Sequence, residues 1–296
     1  MTYYIYGKQG GSFKDFNHPS YVKRQADDEL LKAIEDGFYS YIFSSRQCGK
    51  TTLIKRTMQN LSSEFSSALL DLSVINPKIT SQKFYSEIIT QLGLKFSLDY
   101  DRQHYLEELN KMGESQHTLG LTLFIEQELF PKISTKNIVI FIDEIDALKD
   151  VVFPVKDFIL FIRSCSQLKG VQDGYDRLTF CLSGVTTVNQ LINTTNQNRT
   201  PFNIGNAIEL SPFDKNDENT RQALMQGLIN ANIPNYEKIY NEVFSWTGGQ
   251  PFLTQKIFYL AEQAYQQKKQ ISLEQLIKKK LLMTGKRMII QSIYER

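Results

Sequence analysis

The chain has 296 residues, 41% of them hydrophobic, which suffices for one large globular domain or two modest ones around a filled core. With 34 Lys and Arg against 32 Asp and Glu, the formal net charge of +2 gives no reason to expect a nucleic-acid surface, although a local basic patch fits inside a neutral average. Cys48, Cys165 and Cys181 form no CxxC pair and cannot all be paired, which argues for a reducing, cytoplasmic setting, while His18, His104 and His117 are scattered without metal-ligand spacing.

In chain order, the opening MTYYIYGKQGG has no basic segment leading into an apolar run. No stretch approaches the roughly 18 uninterrupted apolar residues of a membrane span, so neither export nor insertion is expected. Asp27 and Asp28 can cap a helix with Leu30, Leu31 and Ile34 on its apolar face, ending at Gly37. Residues 39–43 read as a first strand, 51–61 as a helix and 68–72 as a second strand. Helical patterns follow at 81–92 and 119–130, joined by a charged segment at 101–114. Residues 137–142 form the clearest strand, suited to burial on both faces. Phe158, Ile159, Phe161 and Ile162 mark a helix, 178–182 a strand, 188–192 a short helix, and 207–210 a last strand before Pro212.

Beyond residue 214 the period is helical throughout, with candidates at 218–231, 236–246, 252–267 and 273–282. The alternation before that point predicts an α/β domain built on a parallel sheet with helices on both faces, over residues 1–211. Residues 212–296 are then a small all-helical domain, with the possible start of a further element at the C-terminus.

The first strand runs into Ser44-Ser45-Arg46-Gln47-Cys48-Gly49-Lys50-Thr51-Thr52, and an apolar helix begins at once with Leu53 and Ile54. In a strand, loop and helix of this kind the backbone N–H groups converge on phosphate oxygens, helped by the positive end of the helix. Gly49 permits close backbone approach, Lys50 would bridge the terminal phosphates, and the Thr51 hydroxyl would be a Mg²⁺ ligand. Thr52 packs or bonds locally. Ser44 stands where the GxxxxGK[ST] pattern has its first glycine, a position serine can fill while φ stays negative. Arg46 sits in the loop, at a position whose side chain often points to solvent.

The buried strand at 137–142 delivers Asp143 and Glu144 at its C-terminal end, where open α/β sheets bind ligands. Asp143 is suited to hold Mg²⁺, directly or through a water, and Glu144 to orient or deprotonate an attacking water. Alternatively Asp143, Glu144 and Asp146 cap the next helix. Ser183, ending the 178–182 strand, can lie near a γ-phosphate or simply open a turn before Gly184. Arg199 can reach a phosphate within the chain or across a subunit interface, or be a surface arginine. The Lys50 loop and the Asp143 strand together point to a Mg²⁺-dependent nucleoside triphosphate site.

Five stretches in order, YVKRQADDEL (21–30), SSRQCGKTTL (44–53), FIDEID (141–146), TPFNIGNAIEL (200–210) and TGGQPFLTQ (247–255), resemble the AAA-like domain family. That family belongs to the STAND group of signal-transduction ATPases, with kin among the origin-recognition ATPases. The similarity covers about residues 3–270, and a serine at the first P-loop position looks like the family's habit. The resemblance implies that Tyr21, Val22, Arg24 and Gln25 grip adenine and ribose. It also implies that Gly249 and Pro251, within Gly248-Gly249-Gln250-Pro251, form the GxP motif by which a helical lid closes over the base. The residues alone read there as a helix stop and restart.

The resemblance further implies ATP and ADP as ligands, and a slow ATPase whose nucleotide state sets conformation or homo-oligomerisation. Such proteins carry effector and sensor domains, here expected either on separate partner proteins or on a longer chain of which this is a piece. A DNA-handling ATPase and a nucleotide-binding scaffold without turnover are the alternatives.

Overall fold

Five consecutive apolar residues, 138–142, can all be buried only in a strand covered on both faces. The structure is a computed structural model that describes residues 6, 18–185, 205–267 and 273–277. Its five strands are β1 (Ser40–Phe43), β2 (Phe65–Asp71), β3 (Asn137–Asp143), β4 (Leu178–Gly184) and β5 (Asn206–Ala207). They form one all-parallel sheet in the order β2-β3-β4-β1-β5. Every residue of β4, and every residue of β3 but the first, is buried. Register brings Ile142 level with Leu182 and Phe43 level with Gly184, so β3, β4 and β1 end at one edge.

Around the sheet run α1 (Gln25–Glu35), α2 (Lys50–Asn60), α3 (Ser81–Lys95), α4 (Arg102–Lys111), α5 (His117–Phe124), the one-turn α6 (Phe130–Lys132) and α7 (Lys156–Gln167). Their apolar faces and the sheet share a core that includes Phe84, Ile88, Phe124, Ile140, Phe158 and Leu182. The charged segment expected as a connector is a helix instead. Asp101 caps α4 by accepting from the His104 N–H, and only Tyr105 and Leu109 are buried. Two apolar residues four apart, among charges, carry too little period to read as a helix. The helical pattern at 119–130 is really α5 followed by a π turn at Ile125–Leu129 and then α6, with Pro131 just inside it. The extra residue per turn keeps Leu129 and Phe130 buried while shifting the apolar stripe out of phase. β5 is shorter than expected, although the Ile208 N–H still donates to the Tyr41 carbonyl at 2.9 Å.

The helices beyond residue 214 are α8 (Glu218–Asn230), α9 (Tyr236–Thr247), α10 (Pro251–Gln266) and α11 (Leu273–Ile277). Asp217 caps α8 through the Thr220 N–H. Their core holds Leu224, Leu228, Tyr240, Val243 and Phe258. Tyr6 joins it, stacked on Phe258 at 5.3 Å with its hydroxyl donating to the Leu224 carbonyl at 2.7 Å. The helix expected at 188–192 lies outside the described residues, as does the end of the one expected at 273–282. Among the described residues no helix is long and apolar enough to cross a membrane.

By contact, the chain divides into two compact units. One comprises residues 26–45 and 53–209 and contains the sheet. The other comprises residues 1–25, 46–52 and 210–296, so the segment from Arg46 to Thr52 packs with the C-terminal helices.

Within the helical unit Glu262, on α10, is only 4% exposed, and burial pushes its carboxyl up to about 7. The folded state therefore favours the protonated acid over the unfolded chain, where a glutamate titrates near 4.5. This stabilisation is complete below the unfolded value and is lost as pH rises through about 7. Thermal unfolding between about pH 5 and pH 8 should show the wild type losing a few degrees relative to Glu262→Gln, whose curve lacks this component.

Candidate phosphate site

At the edge where β3, β4 and β1 end, the last residue of β3 is Asp143, 2% exposed. Its Oδ1 accepts the Glu144 backbone N–H at 2.9 Å and the hydroxyl of Ser183, itself fully buried. These bonds replace part of the water a carboxylate gives up on burial. Glu144 is half-buried and left-handed, with φ 54° and ψ 46°, a conformation costly for a residue with a Cβ and typical of functional turns. It stands at the N-cap of the 3₁₀ turn Ile145–Asp150 but makes no side-chain cap bond. Asp146 instead accepts the Val185 N–H, tying the exit of β4 to the exit of β3. Glu144 therefore does not cap that turn through its side chain.

Burial, and secondarily the charge of Asp143, pushes the Cys181 thiol far up, and burial raises Cys165 to about 12. Both stay protonated and behave as small apolar residues.

The loop leaving β1 begins at Ser44, whose N–H donates to the Gly184 carbonyl at 3.2 Å and whose φ is not positive. Ser45, Arg46 and Gln47 are exposed, Cys48 and Lys50 are buried, and Thr51 and Thr52 are half-buried. Gln47 and Gly49 have φ of 63° and 94°. Such turns make the concave arrays of N–H groups that bind anions. α2 begins at Lys50 and has no acidic residue in its first turn, so its positive end is not offset from within.

Two side chains of the same unit hold this loop from behind. Arg24 Nη1 donates to the carbonyls of Cys48 at 3.0 Å and Ser211 at 3.1 Å, with its guanidinium 5.5 Å from the centre of the Phe213 ring. Gln250 Nε2 donates to the Gln47 carbonyl at 3.1 Å. Gln250 was not singled out from sequence, although a polar residue just before a proline that opens a helix is an N-cap signal. Pro251 is the buried first residue of α10. Gly249 has φ 78°; its carbonyl accepts the Phe213 N–H at 2.8 Å, and an added Cβ would lie 2.1 Å from the Phe213 oxygen.

Of the remaining candidates, Tyr21 is half-buried and Gln25 exposed at the start of α1. Val22 is 3% exposed within the apolar cluster of the helical unit. Arg199 lies outside the described residues. The structure thus brings Asp143 together with Ser183 in one unit, and Arg24 with Cys48 and Gly49 in the other.

A Gly-Lys-Thr loop between β1 and a helix, and an acid ending a strand one removed from β1 in a parallel sheet, define the P-loop ATPase fold. The chain belongs to the AAA-like domain family, whose sequence model matches residues 10–288. A curated relative, an uncharacterized WD repeat-containing protein of Synechocystis, is 38% identical over 265 residues, covering 87% of this chain and 21% of the relative. The chain therefore spans about a fifth of that relative's length. Among solved structures, a Walker-type ATPase of Pyrococcus abyssi matches with a TM-score of 0.63 and 15% identity, over 97% of this chain and 78% of that one. The ORC2 protein of Aeropyrum pernix in its ADP form matches with a TM-score of 0.53 and 13% identity, over 94% and 70%. At such identities these two share the fold.

Replacing Gly249 by Ala forces a Cβ into the Phe213 carbonyl at a left-handed backbone. Denaturant unfolding should show a loss of about 2 kcal/mol or more for Gly249→Ala.

Proposed function

We propose that this chain binds ATP with Mg²⁺ at residues 44–52, hydrolyses it slowly, and uses nucleotide state to control conformation or oligomerisation. The observation that carries the reading is Asp143, a buried carboxylate aimed by Ser183 and the Glu144 N–H, at the sheet edge from which the Gly-Lys-Thr loop also departs. A buried carboxylate held in a fixed orientation is suited to a polyphosphate-bound cation, since Mg²⁺ is usually bound by few protein carboxylates alongside phosphate and water oxygens.

In this reading Lys50 meets the β- and γ-phosphates, and the N–H groups around Cys48 and Gly49 cradle them. Thr51 and Asp143 would hold Mg²⁺, an ion that takes few protein ligands. When bound, that ion neutralises phosphate charge. Glu144 orients the attacking water and accepts its proton, Ser183 fixes the Asp143 carboxylate, and Arg199 is a candidate for the charge on the transferred phosphoryl group. Tyr21, Val22, Arg24 and Gln25 would meet adenine and ribose, Val22 through its backbone because its side chain is core. Gly249 and Pro251 would close over the base from the helices.

The switch is supported by the grouping of residues 46–52 with the C-terminal helices, because a ligand on that loop acts directly on the unit that packs against it. The ADP-bound ORC2 neighbour supports nucleotide binding, and the length of the WD repeat-containing relative supports sensor or effector partners beyond this domain.

Lys50→Ala should weaken ATP and ADP binding about 100-fold by calorimetry. Glu144→Gln should bind ATP within about threefold of wild type while turnover falls about 100-fold; equal turnover would remove Glu144 from the chemistry. Light scattering with ATP, ADP and no nucleotide should show a nucleotide-dependent change in mass, and Lys50→Ala assembling normally on ATP would sink the switch.

A further inference from the structure

Gln250 uses both ends of one amide. Its Oε1 accepts the Leu253 N–H at 2.6 Å and caps α10, while its Nε2 donates to the Gln47 carbonyl in the phosphate loop at 3.1 Å. The next carbonyl along, that of Cys48, is held by Arg24 at 3.0 Å. In a planar trans peptide the C=O and N–H point in opposite directions. Drawing the Gln47 and Cys48 oxygens toward Gln250 and Arg24 therefore turns the Cys48 and Gly49 N–H groups to the other side of the loop. Gln47 keeps a φ of 63°, uncommon for a residue with a Cβ, so the bond from Gln250 holds the loop at a less favoured backbone conformation.

We infer that Gln250 is a positioning residue for nucleotide phosphates: its amide fixes the peptide whose N–H faces a β-phosphate, and so couples diphosphate affinity to the seating of the first turn of α10. This rests on the nucleotide reading above, and it adds the atom through which the helical unit acts. Arg24 sets the following peptide from residue 24, on a different segment of the same unit, while Gln250 makes its bond from the N-cap of α10.

The two ends of the amide can be separated. Asn is among the strongest N-cap residues and is neutral, but it is one methylene too short to cap α10 and reach the Gln47 carbonyl together. Gln250→Glu keeps the length and the cap acceptor and removes the donor. Calorimetry on the full chain with ADP and with AMP, alongside Lys50→Ala, tests the inference. Both Gln250 variants should lose about tenfold in ADP affinity, with AMP affinity within about twofold of wild type and nucleotide-free melting temperatures unchanged. ADP affinity at the wild-type level in Gln250→Asn, or equal losses for ADP and AMP, would overturn it. A wild type that binds neither nucleotide removes the nucleotide reading and this inference together; wild-type binding that Lys50→Ala abolishes and Gln250→Asn leaves intact removes the inference alone.

Discussion

A carboxylate shut away from water at the end of β3 is the constraint on which the sheet unit turns. Ser183 and the Glu144 N–H are both directed at Asp143 and replace part of the water it has lost. Ser183 is available because β4 lies beside β3 in a register that makes the two strands end together. The left-handed turn at Glu144 then carries the chain sideways into the 3₁₀ turn, where Asp146 captures the start of the segment leaving β4. Register, burial and one unusual backbone conformation therefore act as a single device.

The helical unit solves a different problem. A loop that offers its N–H groups to a ligand, as proposed for residues 44–52, leaves its carbonyls to be satisfied elsewhere. Arg24 and Gln250 supply that satisfaction from two segments far apart in sequence, and the close approach at Gly249 keeps α10 near enough to do so. The residues behind the loop thus matter as much as those in it.

What could be read from the residues alone follows from how local each signal is. β3 was legible because a run of Ile, Val and Phe has few other uses, and the loop because Gly49, Lys50 and Thr51 sit between a strand and a helix. α4 was not, since its buried pair Tyr105 and Leu109 is lost among charges. The π turn at Ile125–Leu129 hid the true phase of its helix. The partners of Arg24 and Gln250 are backbone carbonyls, which carry no sequence signature at all. The membership of residues 46–52 in the helical unit depends on contacts across some 200 positions, as between Gln47 and Gln250, and no local pattern reports that.

The outer strand next to β1 contains only Asn206 and Ala207, both exposed. So short a border presents too few unpaired N–H and C=O groups to template a strand from another molecule, even though β1 beside it is well ordered by β4. Among the described residues that flank therefore offers a second copy of the domain side chains to meet rather than a hydrogen-bond ladder to extend.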